Sequence, residues 1–507
     1  TFLLEPMTSE DILGKRIDRL KGLIKDKRNA ILIWILTFAF LIRLYYFFIS
    51  GDQALWWDSL VYGALAENFI THSWTDLPII AGEILGRPPL LPLLWSFLMR
   101  LSFNEMASKL LLEIIPSVLS VFFAYLIISK NYNYKVGLLA SGIFSFMWMH
   151  LFYSMRMLTS VPALCLALAS AYCFLKSGDN FKTKDFTISI LLLSFSFLMR
   201  YPIGLLFGAS YFFFIIITQK HHFLKKKSFW KGGLIGIAPI IIFFALNLYF
   251  RGSIFPPASI YSESLSKKGA FAFYTLGFIP HILQQPLFVF FLIGSAIAIF
   301  SLILGFDLIS RSKEQRGHLL NLLFLLLTLS FQIFYIKAAE DRYLFPMILP
   351  LLSFTSIGIL YVYTAIKKYS KQVAIAFIIL VLCGGAYSNL TFGDSMIRGK
   401  ASSFYDIKQA FLWLEENAPK GSRVIGETSS PYVIYYTDLI PVDFPESSIP
   451  PNYSPEADYL VVSAYHWHQD YLKEFIPTLQ PRLEPVFGTF FDEERQNPSV
   501  VIYRFRE

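Results

Sequence analysis

Charge is scarce in this chain. Asp, Glu, Lys and Arg make up 16% of its 507 residues, against about 25% in an ordinary soluble domain. That shortfall excludes a soluble globular protein of this size. Cysteine is rarer still: Cys165, Cys173 and Cys383 all fall inside apolar runs, so they read as packing residues. A disulfide framework and a thiolate metal centre are excluded. There is no glycine-rich phosphate loop, no clustered His/Cys/Asp/Glu motif, no internal repeat and no low-complexity tract. The missing repeat counts against a transporter built from symmetric halves. The net charge of +8 is divided among short loops, which speaks for membrane topology and against nucleic-acid binding.

Apolar mass is abundant. Hydrophobic residues are 55% of the chain, 51 of them Phe, and mean hydropathy is +0.52. Many runs reach the roughly 17–25 residues a helix needs to cross a bilayer. The chain therefore reads as a polytopic α-helical membrane protein. Residues 1–29 form a cytoplasmic segment, its 11–29 stretch a basic amphipathic helix. The run 30–49 is long for a signal peptide and lacks a small-residue cleavage pattern before Asp52, so it is expected as a retained first span. Arg43 lies inside it and needs a polar partner or a route to the interface. The short basic loops 130–135, 176–184, 220–231, 311–318 and 367–371 belong on the cytoplasmic side. Parity then requires that 88–102, headed by Arg87-Pro88-Pro89, does not cross, unless the weak pair 185–199 and 201–219 is not two spans. The expected count is about 11 transmembrane helices, range 11–13, within 30–388, N-terminus in and C-terminus out. Over 389–507 charge and proline rise and helix alternates with strand. This part reads as a small extracytoplasmic α/β domain.

The external loop 50–92 is acidic and aromatic. It carries Asp52, Asp58, Glu67, Asp76 and Glu83, with Arg87 near its end. Asp58 follows Trp56 and Trp57 and opens a helix-like run, Leu60 to Ile70. The same topology places Arg156, Arg200, Arg251, His281, Glu340, Asp341 and Arg342 on this side. A carboxylate beside several arginines suits a substrate carrying phosphate. Guanidiniums fork onto phosphate oxygens, and the carboxylate takes a proton from an attacking group or orients it.

Four stretches carry a resemblance to a known family. They are Asp58-Ser59-Leu60-Val61-Tyr62 with Ala66 and Glu67, Arg87-Pro88-Pro89-Leu90 with Trp95, Arg200-Tyr201-Pro202, and Glu340-Asp341-Arg342-Tyr343-Leu344-Phe345-Pro346 on to Pro350. In order and topology they resemble the GT-C superfamily of lipid-phosphate-dependent glycosyltransferases, in the branch of the protein O-mannosyltransferases and the aminoarabinose transferases of lipid A. The resemblance implies inverting transfer of a sugar from a polyprenyl or dolichyl phosphate to an extracytoplasmic protein, glycan or lipid. Asp58 would be the catalytic carboxylate, with Arg87, Arg200, Arg251 and Arg342 holding donor phosphate or sugar. Asp52, Tyr62, Glu67, Arg156, His281, Glu340 and Tyr343 would support them. The chain departs from the family at Ser59, where many members have Glu, and at Leu158-Thr159-Ser160-Val161-Pro162, where many carry a second acid. No cofactor is firmly expected, and a divalent metal is doubtful without that acid, with Asp52 or Glu67 as the stand-ins. The expected setting is the plasma membrane. The competing readings are a flippase for a lipid-linked sugar and a non-catalytic envelope-assembly subunit.

Overall fold

A computed structural model describes residues 26–51, 53–55, 58–71, 87–254, 267–309, 311–336, 340–426, 429–445, 453–465, 470–492 and 494–506. Asp52, nearly all of the amphipathic segment over 1–29, and 72–86 of the external loop lie outside them, as does the Arg251 side chain.

Helix α1 (Lys27–Ile49) starts where the Asp26 carboxylate caps the Arg28 N–H at 3.0 Å. Its Arg43 is fully buried and finds partners inside the bundle. It donates to the carbonyls of Ala39 (2.9 Å) and Ser145 (3.0 Å), to Ser117 and to His150 Nδ1 (2.9 Å). After it come α2 (Asp58–Thr71) and α3 (Leu90–Arg100). At 11 residues, α3 is about 16 Å long, half a bilayer core, so it does not cross by itself. Helix α4 (Glu105–Asn131) contains a π turn over Leu110–Ile114. Helices α5 (Tyr134–Phe146) and α6 (Trp148–Ser154) form a pair bent by 54° at Met147. Then follow α7 (Ser160–Ser177), α8 (Thr183–Met199), α9 (Tyr201–Gln219), α10 (Lys227–Arg251), the short α11 (Ile279–Leu283), α12 (Leu287–Leu304), α13 (Lys313–Phe331), α14 (Ile348–Lys367) and α15 (Lys371–Ala401).

Among the described residues nine helices are long and apolar enough to cross a membrane, ten if the bent pair is one span. The chain is an integral membrane protein. The count falls below the expected eleven at two runs, 134–152, which is the bent pair, and 185–199. The run at 185–199 forms α8, whose 17 residues carry Lys184 and Asp185 in the first turn, leaving its apolar stretch short; α8 lies between α7 and α10. Helices α12 and α14 touch backbone to backbone. A Cβ on Gly294 would lie 1.8 Å from the Phe354 carbonyl oxygen, and one on Gly358 2.1 Å from that of Phe290. Small residues at such crossings let helices approach without a hydrophobic driving force.

The basic loops meet at one end of the bundle. Arg316 pairs with Asp179 (2.8 and 2.9 Å), Lys226 donates to Gln219 Oε1 at 2.8 Å, and Lys313 reaches the Ser129 carbonyl at 3.5 Å. Helix α15, expected over 372–388, runs on to Ala401 and leads into the C-terminal domain. That domain consists of α16 (Tyr405–Asn417), β1 (Arg423–Gly426), α17 (Ser430–Tyr436), β2 (Ile440–Val442), β3 (Tyr459–Ser463), α18 (Asp470–Leu479), β4 (Leu483–Phe490) and β5 (Pro498–Phe505). Its sheet order is β2-β1-β3-β5-β4, parallel from β2 to β3 and antiparallel from β3 to β4. Strand β2, three residues carrying a proline, has too little alternation to read from sequence.

Candidate active site

Asp58 is the first residue of α2, where the exposed N–H groups of the helix favour a negative charge. Two arginines from distant parts of the chain close on it. Arg87, just ahead of Pro88-Pro89, donates through Nη1 to Oδ1, and Arg342 Nη1 reaches Oδ2 at 2.9 Å. Arg342 is held from behind by Glu340, which accepts from Nε and, at 3.2 Å, from Nη2. Its backbone N–H donates to Asp341 at 2.9 Å, and Asp341 in turn accepts from the Tyr153 hydroxyl. Arg200 is the single residue between α8 and α9. It lies 5.1 Å from the Tyr343 ring centroid and donates to Thr159 Oγ1 at 3.3 Å. Arg342 sits over the same ring at 5.7 Å, and Arg87 over Tyr62, one helical turn beyond Asp58, at 5.8 Å. Thus Asp58, Tyr62, Arg87, Arg200, Glu340, Arg342 and Tyr343 come together from four regions of sequence.

The field at Asp58 is positive. Burial pushes the Asp58 carboxyl up, but the guanidiniums of Arg342, Arg87 and Arg200 outweigh it and hold the group at about 2. At Asp58 itself three guanidiniums outweigh the carboxylate, while Glu340 and Asp341 stand behind Arg342. A divalent cation fits poorly at Asp58, because both of its oxygens are engaged by guanidiniums and Glu340 is taken by Arg342. Among the described residues no three His, Cys, Asp or Glu side chains converge as a metal site.

The other expected residues have different neighbours. Glu67, further along α2, is half-buried and raised by burial and by Asp438 of the C-terminal domain. The His281 ring packs edge-on to Trp148 (5.0 Å) and Phe392 (4.7 Å), and burial lowers its imidazole. Arg156 is buried, stacks on Phe152 at 4.0 Å and lies within electrostatic reach of Asp341 and Arg342. Arg251 closes α10, its side chain outside the described residues.

Sequence reasoning missed Glu105, Lys109 and Glu113. They stand on one face of α4 at intervals of four residues, inside a stretch read only as an apolar run. That spacing was the available signal. Glu113 is fully buried and accepts the Leu158 N–H at 2.9 Å. The segment Leu158–Pro162, which lacks its own acid, is thus met by one from α4.

The C-terminal domain reaches the site through α17, which packs on α2. The Leu55 N–H donates to the Tyr436 hydroxyl at 3.0 Å, and the Tyr435 hydroxyl donates to Glu105 Oε2 at 3.2 Å. A Cβ on Gly63 of α2 would lie 2.8 Å from Tyr435 Cδ2 and 3.2 Å from Trp95 Cη2.

The sequence model of the dolichyl-phosphate-mannose-protein mannosyltransferase family matches residues 86–245. No curated protein matches the chain by sequence. Among solved structures, ArnT from Cupriavidus metallidurans in the apo state superposes with a TM-score of 0.62 at 12% identity, covering 94% of this chain and 98% of its own. The same protein bound to undecaprenyl phosphate gives 0.60 at 11%, covering 92% and 98%. The Archaeoglobus fulgidus oligosaccharyltransferase AglB in complex with an inhibitory peptide and a dolichol-phosphate gives 0.57 at 12%, covering 85% and 69%. The arabinofuranosyltransferase AftD from Mycobacteria gives 0.57 at 13%, covering 93% of this chain and 40% of its own. The chain has the GT-C fold.

Proposed function

We propose that this protein is an inverting glycosyltransferase that moves a sugar from a polyprenyl or dolichyl phosphate to an extracytoplasmic acceptor. One observation carries the reading: a carboxylate at a helix N-terminus, clamped by Arg87 and Arg342 with Arg200 beside it, in a fold shared with transferases seen holding lipid phosphates. The arginines bind the donor phosphate and stabilise the charge that grows on it as the glycosidic bond breaks. Asp58 faces the acceptor. Held at about 2 by the guanidiniums, it is a weak base in the empty site. A bound phosphate shares those guanidiniums and adds negative charge, so the carboxyl rises and gains affinity for the acceptor's proton. Displacement from the opposite face inverts the anomeric carbon and releases lipid phosphate. The setting is the plasma membrane, with the basic loops cytoplasmic and the C-terminal domain outside.

The test is single-turnover transfer from polyprenyl-phosphate sugars by protein reconstituted in liposomes. Asp58→Asn should lower turnover by about a thousandfold with the donor's Kd nearly unchanged. Wild-type turnover in that variant would overturn the role of Asp58, and no binding of undecaprenyl phosphate by the wild type would overturn the function.

A further inference from the structure

Residues 155–159 join α6 to α7 outside any helix, and all five are buried. A buried link of this kind must find partners for its backbone N–H and C=O groups inside the protein. One comes from another helix. Glu113 of α4 is fully buried and stands in the π turn, and its Oε1 accepts the Leu158 N–H at 2.9 Å. A carboxylate at this depth is costly unless it is paired or used. Lys109, one turn earlier on the same helix, offsets part of its charge. A π turn re-aims the side chains around it, and such turns recur at functional sites.

The link and its flanks meet the Asp58 cluster on two sides. On one side Tyr153, at the end of α6, donates to Asp341, which accepts the Arg342 N–H at 2.9 Å. On the other side Thr159, next in sequence to Leu158, accepts from Arg200 Nη1 at 3.3 Å and lies against the Tyr62 hydroxyl. Resting on the glycosyltransferase reading, we infer that Glu113 is a positioning residue: by holding the Leu158 N–H it fixes Thr159, and Thr159 aims the Arg200 guanidinium at the donor phosphate. Glu113 itself touches neither donor nor acceptor. Its effect is to order a long, flexible arginine before the ligand arrives, which removes that ordering from the cost of binding.

The experiment measures the Kd of undecaprenyl phosphate for the reconstituted full-length protein and its variants. Glu113→Leu removes the acceptor and should weaken binding roughly tenfold. Glu113→Gln, whose side-chain carbonyl still accepts the Leu158 N–H, should restore most of that loss. Thr159→Val, with Glu113 intact, should bind as weakly as Glu113→Leu. The double variant should be no weaker than either alone, because both changes act through Arg200. Wild-type affinity in Glu113→Leu would overturn the role, as would a Glu113→Gln variant as weak as Glu113→Leu. Losses that multiply to about a hundredfold in the double variant would mean two independent effects and overturn it too. Wild-type affinity in Thr159→Val would do the same, and that result stands even where Glu113→Leu does not fold. A wild type that binds no undecaprenyl phosphate would sink the glycosyltransferase reading and this role together. Binding by the wild type with no effect of Glu113→Leu would sink this role alone.

Discussion

Removing the Arg342 guanidinium should change how the protein responds to acid. The Asp58 carboxyl sits at about 2 in the folded chain and near 3.9 in an unfolded one, roughly. A lowered carboxyl stabilises the fold fully above the unfolded value, and that contribution is lost as pH falls towards the folded one. It is worth about 2.6 kcal/mol by linkage. In Arg342→Gln the carboxyl rises, so the contribution shrinks and disappears at higher pH. Unfolding midpoints measured between pH 2 and 5 should converge for Arg342→Gln and Asp58→Asn. A wild-type profile in Arg342→Gln would show that Arg342 does not set this carboxyl. Asp58, Arg87 and Arg342 were legible in the sequence because each interrupts an apolar chain at a span boundary. Lys109 was not, because one lysine inside a long apolar run carries no signal of its own until Glu105 and Glu113 are seen on the same helix face.

Helices show the same division. Apolar runs and basic loops fixed most helix positions, since both follow from the cost of burying charge in lipid. What brings helices into contact was less visible. Gly63 looks ordinary in sequence, yet α2 has no room there for a side chain against Tyr435 and Trp95. Gly63→Val should push α2 off α17 and cost roughly 1–3 kcal/mol of stability, read as a lower unfolding temperature in detergent. Because α2 carries Asp58 at its start, turnover should fall more than donor affinity does. Restored turnover in the double variant with Tyr435→Ala would locate the clash at that ring, and no rescue would count against it. The glycine contact of α12 with α14 was equally hidden: Gly294 and Gly358 are spaced by nothing a single sequence can pair.

At the scale of the whole molecule, the membrane bundle and the α/β domain were both readable, one from hydropathy and the other from alternating helix and strand. Their mutual attachment was not, because it depends on contacts across long sequence separations such as Leu55 to Tyr436. Helix α15 makes that attachment a matter of rotational phase. Its 31 residues span about 46 Å, more than a hydrocarbon core of about 30 Å. The outer part is an unbroken shaft, braced where Asn389 bonds the Trp148 N–H at 3.2 Å and the Lys400 carbonyl accepts from Gln53 at 2.6 Å. One alanine inserted between Lys400 and Ala401 would turn everything beyond by about 100° and swing α17 away from α2. Seven would return it to within about 20° of its original heading but lift it by about 10 Å. Transfer rates across a series of one to seven inserted alanines should therefore collapse at every length, while the bundle still binds undecaprenyl phosphate. A flexible glycine–serine insert of the same lengths, which carries no phase, should recover part of the rate. The shaft works as a key that must be both turned and seated.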